Sequence, residues 1–534
     1  MRTVCRQIQG GGYEEGGAAS RLVKEQLKRI GADPAVVRRA MIAAYEAEMN
    51  VVIHSHGGEL RAWLEDDCLH VEVTDTGPGI PNIDQAMSPG YSTASAKARE
   101  LGFGAGMGLP NIRKNTDEFA IESKVGEGTR LSFTIGLKPQ ALYGSGRNSI
   151  RIAAEKCRQS LRCVHACPTQ AVRVFRGKPD ILDYLCIDCS ACIAVCPSGT
   201  LHVTGTAAEL KPGADTVLVV PPAALVQFGP GVSAERVLRE AAALGVGEVH
   251  VTAAWDAALQ QAVLEYAASE ASSRPVISPV CPAIVNLVET RFPSLISHLA
   301  PFVAGFEAAH RVLNGRGALV FVALCPCQRT ALTGADSAAP EVILPAAFSA
   351  AIFPRLKSSA GARTCPETAA AGDESPLGDA TDPRVMRSEV LRVGGLQHVI
   401  NVLEAIENGL AGDLSVLELY ACDQGCFGPP LLASDPHLAL WRWEAAPPPP
   451  DPEARAVRRA AAFAPRRGLR LDEDMRKAIQ KLARIDKLQR SLPGSDCGIC
   501  GAPSCAALAE DTVLGRVAAD ACPRQRPTGE EDTK

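Results

Sequence analysis

The sequence predicts a multidomain protein of mixed α/β and α+β class, and three observations carry that expectation. The chain has 534 residues, more than one hydrophobic core can organise, so several domains are expected. Apolar residues make up 46% and charged residues 22%, the balance of globular folding. Helical and strand-like hydrophobic patterns alternate along most of the length, while the 19 cysteines crowd into short stretches.

The first segment, residues 1–140, has few cysteines. Asp33-Pro34 reads as a helix cap and first turn, and Val36, Ile42, Tyr45, Met49 and Ile53 recur at helical spacing. Glu46 and Asn50 stand four apart on that helix and so share a face. Leu69, Val71 and Val73 then alternate as a strand that ends in Asp75-Thr76-Gly77-Pro78-Gly79. The run Gly102-Phe103-Gly104-Ala105-Gly106-Met107-Gly108 has enough glycine for its N–H groups to close on phosphates.

In order and type this set resembles the GHKL ATPase domain, an α/β sandwich shared by histidine kinases, gyrase and Hsp90. It is most similar to the anti-sigma-factor serine-kinase branch. The resemblance implies that Asn50 holds Mg²⁺ and that Asp75 reads the adenine amino group of ATP. It also implies that Gly77 and Gly79 shape the base pocket, and that Gly104, Gly106 and Gly108 cap the phosphates. Glu46 falls at the position that activates the attacking hydroxyl or water, a general-base role suited to a carboxylate. The alternative is a degenerate fold that binds ATP without turning it over.

The second segment, residues 150–205, follows a turn-rich joint at Gly144-Ser145-Gly146. It carries Cys186-x2-Cys189-x2-Cys192-x3-Cys196-Pro197, the spacing of a bacterial [4Fe–4S] ferredoxin. The partner run is Cys157-x5-Cys163-x3-Cys167-Pro168, with Ser160 where a cysteine would stand. By the crossover rule of such domains, Cys167, Cys186, Cys189 and Cys192 hold one cluster, and Cys157, Cys163 and Cys196 remain for a second. That second site is left open between a three-iron cluster, ligation by Ser160 and an iron with an open position. Zinc is the alternative for any CxxC pair. The whole looks like a two-cluster ferredoxin domain, α+β in class.

Residues 212–445 read as an alternating α/β stretch. Ser278-Pro279-Val280-Cys281-Pro282, Pro326-Cys327 and Leu417-Glu418-Leu419-Tyr420-Ala421-Cys422-Asp423-Gln424-Gly425-Cys426 resemble the catalytic domain of [FeFe]-hydrogenase. The resemblance implies that Cys281, Cys327, Cys422 and Cys426 hold a cubane; four buried thiols in a core are the plain alternative. Val280 stands at the family's proton-delivering cysteine and Thr330 at the lysine that holds diiron ligands. Cys325 and Tyr420 take the places of methionines, and Thr333 that of an acidic residue. Without its proton-transfer group the site is expected to turn over little or no hydrogen and to lack a diiron subcluster. Inside this stretch, residues 358–383 read as a surface loop rich in small and polar residues.

A Pro-rich linker is expected over 446–470, stiffest at Pro447–Pro450. A small helical domain follows over 471–534, with an amphipathic helix near 473–489. In it Cys497, Cys500, Cys505 and Cys522 resemble the four-cysteine Fe–S domain of electron-transport and corrinoid proteins. Cys5, Cys68 and Cys365 match no spacing.

Up to four [4Fe–4S] clusters are therefore expected beside ATP with Mg²⁺. The net charge of −5 with no basic block argues against nucleic acid as a partner. No signal peptide or membrane span is read, so the expected setting is a reducing, anaerobic cytoplasm in the compartment sense of thiol chemistry. The function expected is a redox or hydrogen-status sensor whose clusters regulate an anti-sigma or serine-kinase-like module. The rivals are a functional hydrogenase or oxidoreductase with ATP-gated electron transfer, and an electron carrier with a vestigial ATPase. Expected partners are a redox protein (a ferredoxin or hydrogenase subunit), an anti-anti-sigma-like regulator, and a second copy of the chain.

Overall fold

The computed structural model describes residues 3–65, 67–94, 98, 106–137, 148–175, 177–205, 209–269, 273–334, 339–358, 390–410, 414–444, 451–466, 471–472, 474–518 and 520–524. Gly104, the Gly144 joint, most of the 358–383 loop with Cys365, and Pro447–Pro450 lie outside them. Contacts divide the chain into one unit of Met1–Gly144 with Pro465–Lys534 and a second of Ser145–Ala464.

In the first unit, an antiparallel sheet is ordered β1-β2-β3-β5-β4. Its strands are β1 (Thr3–Gln9), β2 (Gly57–Glu65), β3 (Cys68–Asp75), β4 (Glu118–Lys124) and β5 (Gly128–Gly136). Helices α1 (Ala18–Arg29), α2 (Pro34–His54) and α3 (Gly108–Asn115) accompany it. Asp33 caps α2 by accepting from the Ala35 amide at 2.8 Å, and Leu69, Val71 and Val73 are buried as their alternation requires. The face of α2 departs from expectation. Of the expected positions Val36 and Met49 are buried, and the rest of the buried face is Val37, Ala40, Ala43, Ala44, Ala47, Val51 and Val52, where small side chains let the helix lie close to the sheet. Ile42, Tyr45 and Ile53 are only partly covered, and Tyr45 and Ile53 turn into a cavity instead.

In the second unit, two small antiparallel ladders come first: β6 (Ile150–Ile152) with β9 (Leu201–Val203), and β7 (Val172–Phe175) with β8 (Lys178–Ile181). A parallel sheet then runs β11-β10-β13-β14, from β10 (Thr216–Val220), β11 (Glu248–Val251), β13 (Ala318–Val322) and β14 (Glu341–Ile343). A second parallel sheet runs β12-β16-β15, from β12 (Val276–Ser278), β15 (Val390–Gly394) and β16 (Val416–Tyr420). The strand β10 is buried at every position, as a parallel strand covered on both faces must be. Helices α4 (Pro282–Arg291) and α5 (Pro326–Thr333) begin immediately after Cys281 and Cys325. Their first turns carry proline, which suits a position that needs no N–H donor.

Residues 451–464, inside the stretch read as linker, are laid along this unit. Asp451 meets His250 at 2.7 Å, Val303 N donates to Val457 O at 3.0 Å, and the Arg458 guanidinium lies 5.2 Å from the Phe302 ring centroid. Among the described residues no helix is long and apolar enough to cross a membrane.

The chain returns to the first unit with α6 (Met475–Ser491) and α7 (Cys505–Val513). Asp474 caps α6 by accepting from the Arg476 amide at 2.9 Å, and Met475, Ala478, Leu482 and Ile485 form its buried stripe. Two ion pairs join this helix to the N-terminal part of its unit: Asp486 with Arg29 at 3.4 Å and Arg476 with Asp67 at 3.3 Å.

Candidate functional site

A cavity of about 610 Å³ opens beside α2, lined among others by Glu46, Asn50, Asp75, Gly79, Gly106 and Gly108. Helical spacing brings Glu46 and Asn50 to one wall, and the end of β3 brings Asp75 to the other. Gly77 stands behind that wall, where its N–H donates to Asp75 Oδ1 at 2.7 Å and fixes the carboxylate. Asn111 Nδ2 donates to Glu46 Oε1 at 2.8 Å. A Cβ at Gly108 would come within 3.0 Å of Asn50 Oδ1 and 3.4 Å of Glu46 Oε2, so glycine there lets the start of α3 approach both side chains. Burial holds the His54 imidazole below its usual pKa, against the pull of nearby Asp75.

The chemistry of the cavity fits a nucleotide. Asn50 Nδ2 is buried and has no hydrogen-bond partner among the described residues, a state that costs free energy until a ligand supplies an acceptor. Tyr45, Ile53, Ile80 and Leu131 give the cavity apolar walls for a base.

One residue here was not singled out in the sequence. Glu48 is 2% exposed and accepts from the amides of Ala19 and Ser20, each at 3.0 Å. It caps the N-terminus of α1, where a carboxylate also meets the positive end of the helix. It lies on α2 between Glu46 and Asn50.

The second unit holds the other candidate centres. Cys167, Cys186, Cys189 and Cys192 line one small hollow, the set that ferredoxin crossover implies. Burial raises the thiols of Cys186 and Cys192, and pushes Cys189 up to about 12, with neighbouring thiolate charge adding to each. Such groups do not ionise in an apolar setting unless a cation or cluster takes the charge. Ala171 N lies 3.1 Å from Cys167 Sγ as a donor. Burial, then the charges of Cys196 and Cys157, raises Cys163. Burial would also raise Cys196, but the amides of Leu201, Ser198 and Thr200 and the Ser198 hydroxyl outweigh it and bring the thiol to about 7. Ser160 is exposed.

The hydrogenase-like thiols come from three elements: Cys281 precedes α4, Cys327 lies in α5, and Cys422 and Cys426 follow β16. Burial raises Cys281, Cys422 and Cys426, and the charge of Cys281 acts on both of the others. Asn286 Nδ2 donates to Cys327 Sγ at 3.2 Å, and Gln328 Nε2 lies 3.9 Å from Cys426 Sγ. Cys325 joins this group: burial first, then Cys281, pushes it up to about 12. By sequence it stands only at a substituted methionine position. Thr330 Oγ1 lies 2.5 Å from Asp188 Oδ2 and 2.7 Å from Ser149 Oγ. It thus ties α5 to the ferredoxin-like segment.

In the first unit Cys497, Cys500, Cys505 and Cys522 line one hollow. The Cys505 amide donates to Asp496 Oδ1 at 2.6 Å, which fixes the loop ahead of α7. Donation from the Ile499 amide lowers Cys497, and burial raises Cys500. Among the described residues no three His, Cys, Asp or Glu side chains converge as a single metal ion would require. All these donor sets are thiol-rich and supported by N–H groups, which suits iron–sulfur clusters.

Comparison with known proteins bears on each region. Residues 36–139 match the histidine kinase-, DNA gyrase B- and HSP90-like ATPases. The serine/threonine-protein kinase RsbT of Bacillus subtilis (strain 168) is 30% identical over 118 residues, which are 21% of this chain and 83% of that protein. The chain belongs to the RsbT-type ATPase family. Its RsbT-type domain is also 33% identical, over 109 residues, to an anti-sigma F factor of Caldanaerobacter subterraneus, covering 19% of this chain and 73% of that protein.

Behind the RsbT-type domain, residues 149–197 match the 4Fe-4S dicluster domain. Residues 214–330 match the C-terminal domain of the iron only hydrogenase large subunit, and residues 492–524 an Fe-S cluster family. Among solved structures, an [FeFe]-hydrogenase HydA(deltaEFG) is 14% identical, covering 43% of this chain and 83% of that one, with a TM-score of 0.33. A variant of HydA1 from Chlamydomonas reinhardtii is also 14% identical, covering 50% of this chain and 89% of that one, with a TM-score of 0.32. The protein is thus a multidomain iron–sulfur protein that joins an RsbT-type ATPase domain to ferredoxin-like and hydrogenase-like domains.

Proposed function

We propose that this protein is a redox or hydrogen-status sensor in which cluster state sets the activity of an ATP-dependent, RsbT-type serine kinase. The observation that carries the reading is the Asp486–Arg29 pair, at 3.4 Å with the Asp486 side chain 6% exposed. It fastens the four-cysteine domain to the end of α1. The other end of α1 is capped by Glu48, which α2 carries between Glu46 and Asn50. A shift of α6 on oxidation or reduction therefore bears on the helix that presents both nucleotide-site residues, a contiguous packed route of the kind that coupling needs.

In this reading Asn50 holds Mg²⁺ and Asp75, fixed by Gly77, accepts from the adenine amino group. Glu46 takes the proton of the attacking hydroxyl while Gly104, Gly106 and Gly108 cover the phosphates. The fifteen cysteines from Cys157 to Cys522 named in the four groups hold clusters that pass and store electrons. With valine at position 280 and threonine at 330, the hydrogenase-like site reports and does not produce hydrogen. The setting is a reducing cytoplasm, and the output is phosphorylation or sequestration of an anti-anti-sigma-like partner.

The test is ATP affinity and turnover on anaerobically reconstituted protein, measured with dithionite-reduced and with oxidised clusters. A reproducible difference is expected. Equal values would remove the sensor reading, because a site that does not distinguish two states cannot be shifted by them.

A further inference from the structure

We propose that Asn286 is the electronic bridge between the ferredoxin-like and the hydrogenase-like thiol groups. The inference rests on the reading that both groups hold iron–sulfur clusters.

Asn286 Nδ2 lies 3.2 Å from Cys327 Sγ and 3.4 Å from the carbonyl oxygen of Ile187. A primary amide nitrogen carries two hydrogens, so both contacts are donations made at once. Ile187 sits between Cys186 and Cys189, which share one hollow with Cys167 and Cys192. A short route therefore runs from Cys186 to the Ile187 carbonyl, across the Asn286 amide, to the Cys327 sulfur. Asn286 is placed by α4, the helix that begins at Cys281, so one element carries both a thiol of the second group and the bridge to the first.

The two ends of this route are buried. Ile187 is 1% and Cys327 2% exposed, and in such a setting a hydrogen bond to sulfur is little screened by water. The two segments are also clamped beside it. Thr330 joins Asp188 and Ser149, and Arg329 Nε donates to Thr204 Oγ1 at 3.0 Å. Cys189 and Cys281 both pack on the apolar cluster that contains Ile187.

An N–H aimed at a ligand sulfur stabilises the more negative, reduced cluster and so raises its potential. Asn286 thus does two things: it shortens the electron's path and it tunes the acceptor. The step is the transfer of one electron from the reduced cluster of the Cys167 group to the oxidised cluster of the Cys281 group. No bond is made or broken and no proton moves.

The test uses the full chain, reconstituted anaerobically with iron and sulfide. Asn286→Leu keeps the side-chain size and removes both donors. With iron content unchanged, the expected result is a tenfold shift of one cluster's reduction equilibrium toward the oxidised form, which is about 59 mV for one electron, and slower equilibration between the two groups after a reductant pulse. Unchanged potentials and rates at full iron content would reduce Asn286 to a packing residue and overturn the proposal. A second measurement needs no variant: selective ¹⁵N-asparagine labelling should give a nitrogen coupling to the reduced, paramagnetic cluster in pulsed EPR, and its absence would overturn the bridge. If neither group of the unaltered chain takes up iron, the cluster reading itself fails. Loaded clusters with redox-independent ATP turnover would instead sink the sensor and leave the bridge standing.

Discussion

Asn111 holds Glu46: the asparagine amide donates to the glutamate Oε1 at 2.8 Å, from a helix that starts at Gly108 directly after Gly106. The carboxylate is thereby oriented by a segment that also lines the cavity. Glu46→Gln is expected to keep ATP affinity within a few-fold and to lose about 10²- to 10⁴-fold in turnover, the usual share of a general base. Calorimetric ATP binding beside phosphate release checks this, and undiminished turnover would exclude Glu46 as the base.

Gly79 has φ +73°, and a Cβ there would stand 2.2 Å from the carbonyl oxygen of Lys124. Gly126 has φ +81° but nothing within 4 Å of its would-be Cβ. Gly126→Ala should therefore cost only the left-handed backbone strain, about 1–2 kcal/mol. Gly79→Ala should cost clearly more and weaken nucleotide binding, since backbone must move. Thermal unfolding of the two variants in parallel decides it, equal losses being the adverse result.

Asp256 is buried, and burial first, then the charge of Glu418, pushes its carboxyl up to about 7. Glu418 in turn meets Arg392 at 2.7 Å. An unfolded aspartate ionises near pH 4, so between about 4 and 7 the folded state binds more protons than the unfolded one. Stability is then complete below pH 4 and is lost as pH rises through about 7. Asp256→Asn should flatten that decline in urea unfolding, and a wild-type curve that rises over the interval would contradict the assignment.

Ser160 stands exposed at the gap in the Cys157, Cys163 and Cys196 group. If that group holds three irons, Ser160→Cys should add about one iron per chain and replace the oxidised three-iron EPR signal with that of a reduced cubane. Iron content that does not change would mean that four irons are already present.

Arg29→Leu removes one ion pair of the buried Asp486, at 3.4 Å, and should loosen the four-cysteine domain. Faster amide exchange along α6 is the expected signature. Unaltered exchange in α6 would show that the pair contributes little to docking.

Much of the candidate site was legible because its residues are close in sequence. Glu46 and Asn50 share a face through the helical repeat alone, and Cys186, Cys189 and Cys192 share a hollow through the pitch of a short loop. The period of α2 misled in one respect. Tyr45 and Ile53 share the helical spacing of Val36 and Met49, yet they line the cavity, since periodicity marks an apolar stripe without saying whether protein or ligand covers it.

By itself, then, the sequence determined the mixed multidomain class, the RsbT-type motif order and the thiol spacings, all of which follow from local repeat geometry. Only the tertiary structure decided that Glu48 caps α1, that the Cys325 thiol is buried, that the Asn286 amide meets both Cys327 Sγ and the Ile187 carbonyl, and that α6 packs in the unit of the ATPase domain. Those relations join residues far apart in the chain, and they are set by how apolar faces fit together and where buried charges find partners. No local period encodes either.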